Sequence, residues 1–235
     1  MSFSPCWLGR ASVLMAVGGL FASASEAGRP LSTDDAATAG AATCQVESWF
    51  QRAEGAREVV LAPACGVGES VEVGLEWRSL GGDAGSGRML SFGVKWVDPA
   101  WQWGPARFGI KAYGGRERAQ GEGWHTANRG LVGLLSLELS AQWQLHLNFG
   151  EEYVHVPRQH QAHGHAALTW APSEDWMLFG EALATRGQGG ALQSLGLRRW
   201  ILADRLGLDL TRGRVAGQTG SGFWTAGIGW YGIGL

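Results

Sequence analysis

The feature of this chain that most constrains its fold is an alternation of apolar and polar residues, repeated in segments from Thr43 to Leu235. Between Val71 and Arg78, for example, every second residue is apolar, and the residues between them are glutamate, glycine or arginine. A period of two residues is the signature of a β-strand, because successive side chains point to opposite faces. The alternating segments predict about twelve strands, with ten or fourteen as the alternatives. The predicted strands are Thr43–Phe50, Glu58–Ala62, Val71–Arg78, Leu90–Trp96, Arg107–Tyr113, Leu131–Leu139, Trp143–Phe149, Ala166–Trp170, Trp176–Thr185, Leu195–Leu197, Leu206–Thr211 and Phe223–Leu235.

The connectors decide between two folds that share this alternation, a soluble β-sandwich and a membrane β-barrel. Turns after even-numbered strands are mostly short, as at 66–68, 140–141, 172–175 and 203–204. Connectors after odd-numbered strands tend to be longer and more polar, as at 81–88, 115–127, 151–164 and 212–222. Short turns at one end and long loops at the other are typical of outer-membrane barrels.

Tryptophan gives an independent indication of a barrel, because it is sorted by strand end. The tryptophans at or beside the short turns are Trp96, Trp101, Trp103, Trp143, Trp170, Trp176 and Trp200. Those near the other end are Trp77, Trp124 and Trp224. Such belts are expected at the two membrane interfaces. We therefore predict an all-β fold over residues 43–235: a closed antiparallel up-and-down transmembrane β-barrel with short periplasmic turns and longer extracellular loops.

The N-terminal residues indicate export. Arg10 precedes a short apolar stretch at 11–22, and Ala22-Ser23-Ala24 offers a cleavage site, with Ala27 as a second choice. A buried N-terminal helix is the alternative. We expect residues 1–27 to be a cleaved signal peptide, residues 28–42 a periplasmic N-terminal segment, and the mature chain to lie in the outer membrane of a Gram-negative bacterium.

Two of the three cysteines follow the leader, and their spacing predicts a disulfide bond. If Glu54-Gly55 is the centre of a hairpin turn, Cys44 and Cys65 lie opposite each other on neighbouring strands. Pairing is chemically allowed in an exported protein. Two free buried thiols are the alternative.

The sequence that follows the predicted signal peptide resembles that of one known family. Residues 29–36 (Arg-Pro-Leu-Ser-Thr-Asp-Asp-Ala), then Gly40, then Gln45-x-Glu47, resemble the opening of bacterial outer-membrane barrels assigned as transporters of the meta-cleavage pathway of phenol degradation. The resemblance implies a barrel that passes small solutes, aromatic ones among them, across the outer membrane. It also implies contact with outer-membrane lipid and with barrel-insertion machinery. The chain departs from such barrels in finishing with Gly232 to Leu235 instead of an aromatic residue.

The polar face of the predicted strands carries charges of both signs, which we expect to line the lumen. These residues are Glu47, Glu72, Glu76, Arg78, Lys95, Arg107, Lys111, Glu138, His146, Asn148, Glu181, Arg198 and Asp209. They could form a conduit that selects a solute by charge. They could equally form a salt-bridged interior that only maintains the barrel.

Two further groups of polar residues have competing interpretations. Four histidines are spaced closely enough to bind a metal ion together: His155, His160, His163 and His165. A solvated polar loop is the favoured interpretation, because no cysteine lies nearby. Residues 34–35, both aspartate, could fold back as a plug in the lumen or cap a short helix. We favour a flexible periplasmic lead-in.

The sequence gives little support for catalysis. It has no His-Glu-x-x-His and no Gly-x-Ser-x-Gly motif. His125 with Thr126, and His146 with Ser136, lack an orienting acid. We expect no enzyme activity and no cofactor, and the net charge of −2 indicates no nucleic-acid partner. A channel or transporter for small solutes is the first hypothesis. A structural or adhesive outer-membrane barrel is the alternative.

Overall fold

The computed structural model describes residues 31–83 and 85–235, which contain thirteen β-strands. In chain order they are β1 Thr43–Ala53, β2 Ala56–Val67, β3 Val71–Gly82, β4 Gly85–Trp96, β5 Gln102–Trp103, β6 Ala106–Ala119, β7 His125–Glu138, β8 Trp143–Val154, β9 Gln159–Ser173, β10 Trp176–Thr185, β11 Leu192–Leu202, β12 Leu206–Val215 and β13 Phe223–Gly234.

The strands close into an up-and-down antiparallel barrel. Each long strand pairs with its neighbours in sequence, and β1 pairs with β13 from Thr43↔Gly234 to Ala53↔Phe223. The two-residue strand β5 pairs only with the start of β6, while β4 pairs with β6 directly. The barrel therefore has twelve long strands and no open edge, which confirms the predicted fold.

The two faces of the strands have the inverted polarity of a membrane barrel. On the outer face, Phe92 is 51% exposed and Leu131 is 57% exposed. On the inner face, Glu76 and Asn148 are at most 1% exposed. The outer face is therefore suited to acyl chains and the inner face to polar groups.

The connectors at the end of the barrel away from the chain termini are shorter than we predicted. The polar segments at 81–88, 115–127, 151–164 and 212–222 mostly continue the strands, and only residues 83–84, 120–124, 155–158 and 216–222 lie between them. The hairpins extend beyond the apolar belt, where outward side chains no longer need to be apolar. Their polarity therefore resembled that of a loop.

Most of the tryptophans predicted for one rim are exposed there. Trp96 packs against Trp101 with ring centroids 4.8 Å apart, and Trp143 stacks on Trp170 at 5.6 Å. Trp200 differs, because its ring lies under the buried guanidinium of Arg198 at 4.9 Å and so faces the interior.

The predicted disulfide bond is present. Cys44 on β1 faces Cys65 on β2, and the two sulfur atoms are bonded at 2.06 Å. The register follows from the turn at Glu54-Gly55, as the sequence predicted. The bond links the first two strands near the chain-terminal end of the barrel.

Within residues 31–83 and 85–235, no helix is long and apolar enough to cross a membrane. The predicted signal peptide, residues 1–27, lies outside the described residues.

Candidate functional site

The candidate site is the barrel interior together with residues 31–42, which we call the interior segment. Asp34 is its centre and is completely buried. One carboxylate oxygen of Asp34 lies 2.9 Å from Nζ of Lys95, and the other lies 2.7 Å from Nζ of Lys111. Lys95 also lies 3.3 Å from Asp35 and 3.4 Å from Glu72. The ion pairs of the two aspartates join the segment to β4 and β6, and the Lys95–Glu72 pair links β4 to β3.

Asn148 on β8 holds the backbone of the interior segment on its other side. Its Oδ1 accepts a hydrogen bond from the Asp34 amide at 2.7 Å, and its Nδ2 donates to the Asp34 carbonyl at 2.8 Å. The Asn148 side chain thus satisfies both polar backbone groups of one residue, as a neighbouring strand would. Burial makes these bonds important, because unpaired backbone groups would be costly there.

Glu181 on β10 anchors the start of the interior segment. Its Oε1 accepts hydrogen bonds from the amides of Ser32, at 2.8 Å, and of Thr33. Its Oε2 accepts from the hydroxyl of Ser194 on β11 at 3.2 Å. Leu31 packs beside these groups in an apolar cluster with the inner face of β9 and β10.

Further bonds follow the interior segment toward β1. The Ala36 amide donates to Oγ of Ser136 at 2.8 Å, and that oxygen is also 2.9 Å from Nδ1 of His146. The Ala39 amide donates to Glu72 at 2.7 Å. The Ser136–His146 pair considered for catalysis therefore meets, but inside the barrel, where it holds the interior segment.

The last part of the interior segment approaches β2 very closely. Ala41 forms a parallel bridge with Gly66, and a Cβ atom added at Gly66 would lie 1.9 Å from the Gly40 carbonyl oxygen. Only glycine fits at position 66 without moving the backbone. The Ala42 carbonyl then accepts a hydrogen bond from the Leu235 amide at 3.0 Å, so the end of the interior segment meets the last residue of the chain.

This placement corrects our expectation of a flexible periplasmic lead-in. From residue 31 onward the segment lies within the barrel, as in the plug alternative, and it contains no helix for Asp34 or Asp35 to cap. The reason is chemical complementarity between the Asp34 carboxylate and the two lysines of the inner wall.

Most residues that we predicted to line the lumen are buried on inward-facing positions. These eleven residues are Glu47, Glu72, Glu76, Arg78, Lys95, Lys111, His146, Asn148, Glu181, Arg198 and Asp209. Arg107 and Glu138 share the inward register but are exposed, because they lie at strand ends beside the short turns.

Two ionic clusters lie apart from the interior segment. Arg78 forms ion pairs with Glu76 and, at 3.1 Å, with Glu58. Arg198 lies 3.4 Å from Asp209. Between the first cluster and the lysines is a cavity of about 30 Å³, lined in part by Glu47, Glu72 and Lys95, which has room for about one water molecule.

The four clustered histidines do not converge on one point. His163 and His165 face inward on β9 with ring centroids 5.0 Å apart, whereas His160 faces outward and bonds to Glu151. His155 lies in the turn before β9. Among the described residues, no group of three or more potential ligands could hold a metal ion.

Sequence reasoning missed several residues of the interior. Glu58 and Glu152 are both buried, and Glu152 accepts hydrogen bonds from Tyr113 at 2.8 Å and from Asn128 at 2.9 Å. Glu152 fell in a segment that we took for a loop. Glu58 could have been found, since it shares strand parity with the buried Val60.

The chain belongs to the family described as "Uncharacterised conserved protein UCP029691", whose model matches residues 15–230. No curated protein sequence matches the chain.

Solved structures with a similar fold include porins. The KdgM porin aligns with a TM-score of 0.62 at 9% identity, covering 79% of this chain and 98% of the porin. The KdgM porin in complex with disordered oligogalacturonate gives 0.60 at 10% identity, with the same coverage. The NanC porin gives 0.62 at 8% identity, covering 80% of this chain and 98% of that porin. At these identities the likeness establishes the fold, that of an outer-membrane barrel.

Proposed function

We propose that this chain is an outer-membrane channel for small solutes and that the interior segment closes its lumen. The observation that carries the proposal is the ionic lining of the barrel. Among the described residues, eight carboxylate and four lysine or arginine side chains are buried inside it. Buried charges are costly to desolvate and contribute little net stability. An interior rich in them is therefore better suited to a water-filled path than to a packed core.

The interior segment is suited to act as the closing element. It has no regular secondary structure between residues 31 and 40, and it is held mainly by hydrogen bonds and ion pairs to wall side chains. When the segment moves away, water can replace each of these partners. The same side chains would then line an open path.

The charges also favour some solutes over others. The excess of carboxylates favours neutral and cationic solutes, and it disfavours an acidic sugar chain of the kind bound by the KdgM porin. Phe179 and Phe223 are buried on inward-facing positions and would offer apolar contact to an aromatic solute. Small neutral or cationic molecules, including aromatic ones, are thus the proposed substrates.

The proposal is tested by the conductance of the purified full-length protein in planar bilayers. Asp34→Asn removes the charge that both lysines contact, so we expect frequent openings where the unaltered protein opens rarely. Asp98→Asn is the matched control and should behave like the unaltered protein, because Asp98 is a half-buried residue between β4 and β5 that bonds to the Ala100 amide and not to the interior segment. Hydrogen exchange of residues 31–42 shows whether the segment has undocked.

A second candidate, a structural or adhesive barrel without transport, is favoured by the filled interior. It predicts that Asp34→Asn remains electrically silent even when hydrogen exchange shows an undocked segment. That result would reject the channel.

Export forms part of the proposal. We propose that residues 1–27 are removed as a signal peptide and that barrel-insertion machinery places the remaining chain in the outer membrane. Sequencing the N-terminus of the protein from isolated outer membranes should give residue 28, or residue 25 if cleavage follows Ala24.

A further inference from the structure

The outer face of the barrel carries a band of arginines at the end opposite the chain termini. We call this the arginine belt and define it as Arg52, Arg57, Arg88, Arg118, Arg129 and Arg212. All except Arg118, which is half-buried, are exposed. The register places them outward, since they alternate with buried inward residues such as Glu58 and Thr211.

The arginine belt lies at the border of the apolar surface. Leu90 is the next residue after Arg88 on the outer face of β4, and Leu131 is the next after Arg129 on the outer face of β7. These leucines are 46% and 57% exposed. The apolar residues face acyl chains, so the guanidinium groups lie at the depth of the lipid headgroups.

Two pairs within the arginine belt place like charges against each other. Arg52 faces Arg57 across β1 and β2, and Arg88 faces Arg118 across β4 and β6. Directly opposed like charges destabilise a sheet unless an ion of opposite charge lies between them. In the described part of the chain, none of these four guanidinium groups forms an ion pair with a carboxylate.

Other features of this rim suit an anionic partner. Arg118 lies over the ring of Trp124 at 5.2 Å, which orients the guanidinium group. Carboxylates at this end occur mainly in the turns, at Glu54, Asp83 and Glu122, while Glu151 on the strand surface bonds to a histidine. The membrane-facing surface of this rim is therefore strongly basic.

We propose that the arginine belt binds the phosphate groups of lipids in the adjacent leaflet. A guanidinium group binds phosphate through two parallel hydrogen bonds, and a phosphate between paired arginines offsets their repulsion. The two lysines of the chain, Lys95 and Lys111, lie inside the barrel. The strongly basic groups on this outer surface are therefore the guanidinium groups of arginine. The proposal is independent of solute transport.

The test titrates diphosphorylated lipid A into the purified full-length protein in neutral detergent and follows tryptophan fluorescence. We expect saturable binding, weakened by 0.5 M NaCl and about tenfold or more by the combined change Arg52→Gln, Arg57→Gln, Arg88→Gln and Arg118→Gln. Changing Arg199 and Arg205 at the other rim to glutamine is the control and should leave binding unchanged. Inorganic phosphate at equal concentration should not compete, because the lipid also contacts the apolar surface.

A stability measurement separates lipid binding from a structural role. Without lipid, the fourfold variant should resist unfolding at least as well as the unaltered protein, because repulsion is removed. With lipid A, only the unaltered protein should gain resistance. Equal lipid affinity in both proteins, equal binding of an uncharged galactolipid, or a fourfold variant that is less stable without lipid would each overturn the proposal.

Discussion

The hydrogen bonds between Asn148 and the interior segment give the most direct test of the site. Asn148→Ala removes both side-chain partners of the Asp34 backbone, whose bonds measure 2.7 and 2.8 Å in a fully buried place. Each neutral hydrogen bond contributes about 0.5–1.5 kcal/mol to stability, and leaving a buried donor or acceptor without a partner costs more. We therefore expect docking of the segment to weaken by about 2–3 kcal/mol, which corresponds to an equilibrium change of about 30- to 150-fold.

Hydrogen–deuterium exchange measures this change directly. The amides of Ser32, Asp34, Ala36 and Ala39 are bonded to wall side chains, so a peptide covering residues 31–42 reports docking. Its exchange should accelerate by about 30- to 150-fold in the Asn148→Ala variant. Peptides from the barrel strands should be unaffected.

A matched control separates loss of these bonds from general loosening of the interior. Asn128 is also a buried asparagine of the inner wall, but its amide donates to Glu152 and not to the interior segment. Asn128→Ala should leave the exchange of residues 31–42 unchanged. Equal exchange of this peptide in the Asn148→Ala variant and the unaltered protein would refute the docking role of Asn148.

Three further predictions follow from the wall of the barrel. Changing Lys95 and Lys111 together to glutamine removes the cationic partners of Asp34 and Glu72, so the reversal potential of the proposed channel should shift toward cation selectivity. Changing Cys44 and Cys65 to serine removes a disulfide bond between residues that are 21 positions apart in the chain. The free energy of unfolding in denaturant should fall by up to about 3 kcal/mol. Gly66→Ala should accelerate hydrogen exchange at the end of the interior segment, because its Cβ would collide with backbone.

Each of these predictions has a control or a contrary result. An unchanged reversal potential would count against the two lysines facing the path. Equal denaturant midpoints for the oxidised protein and the double serine variant would contradict this prediction. Strand pairing alone would then account for the constraint on β1 and β2. Gly133→Ala is the control for the Gly66 change, since a Cβ there would meet its nearest backbone atom at an ordinary 3.7 Å.

The sequence predicted the barrel because each level of evidence agreed. The alternation of apolar and polar residues predicted the strands, and the positions of the tryptophans predicted the two rims. The turn at Glu54-Gly55 predicted the register that pairs Cys44 with Cys65. Strand ends were harder to predict. Beyond the apolar belt, outward residues such as Arg88 and Arg118 are polar like the inward ones, so the alternation disappears while the pairing continues.

The interior segment was harder to predict for a different reason. Much of its binding uses backbone amides, which every sequence possesses, and the wall groups that receive them lie far away in the chain. Glu181 and Asn148, for example, bond to residues more than 100 positions earlier. Asp34 and Asp35 carried the side-chain signal, and their lysine partners could be paired with them only once the barrel fold was known.

A filled interior and a proposed channel are physically compatible because the segment is held by groups that water can also satisfy. Asp34 lies between Lys95 and Lys111 when docked, and water could hydrate all three side chains in an open lumen. Opening therefore exchanges protein hydrogen bonds for water hydrogen bonds, and the net difference per bond is small. An apolar plug on an apolar wall would instead expose surface that water cannot satisfy. The polarity of these contacts thus makes the interior segment suitable as a movable closure, anchored through Ala42 to the first strand.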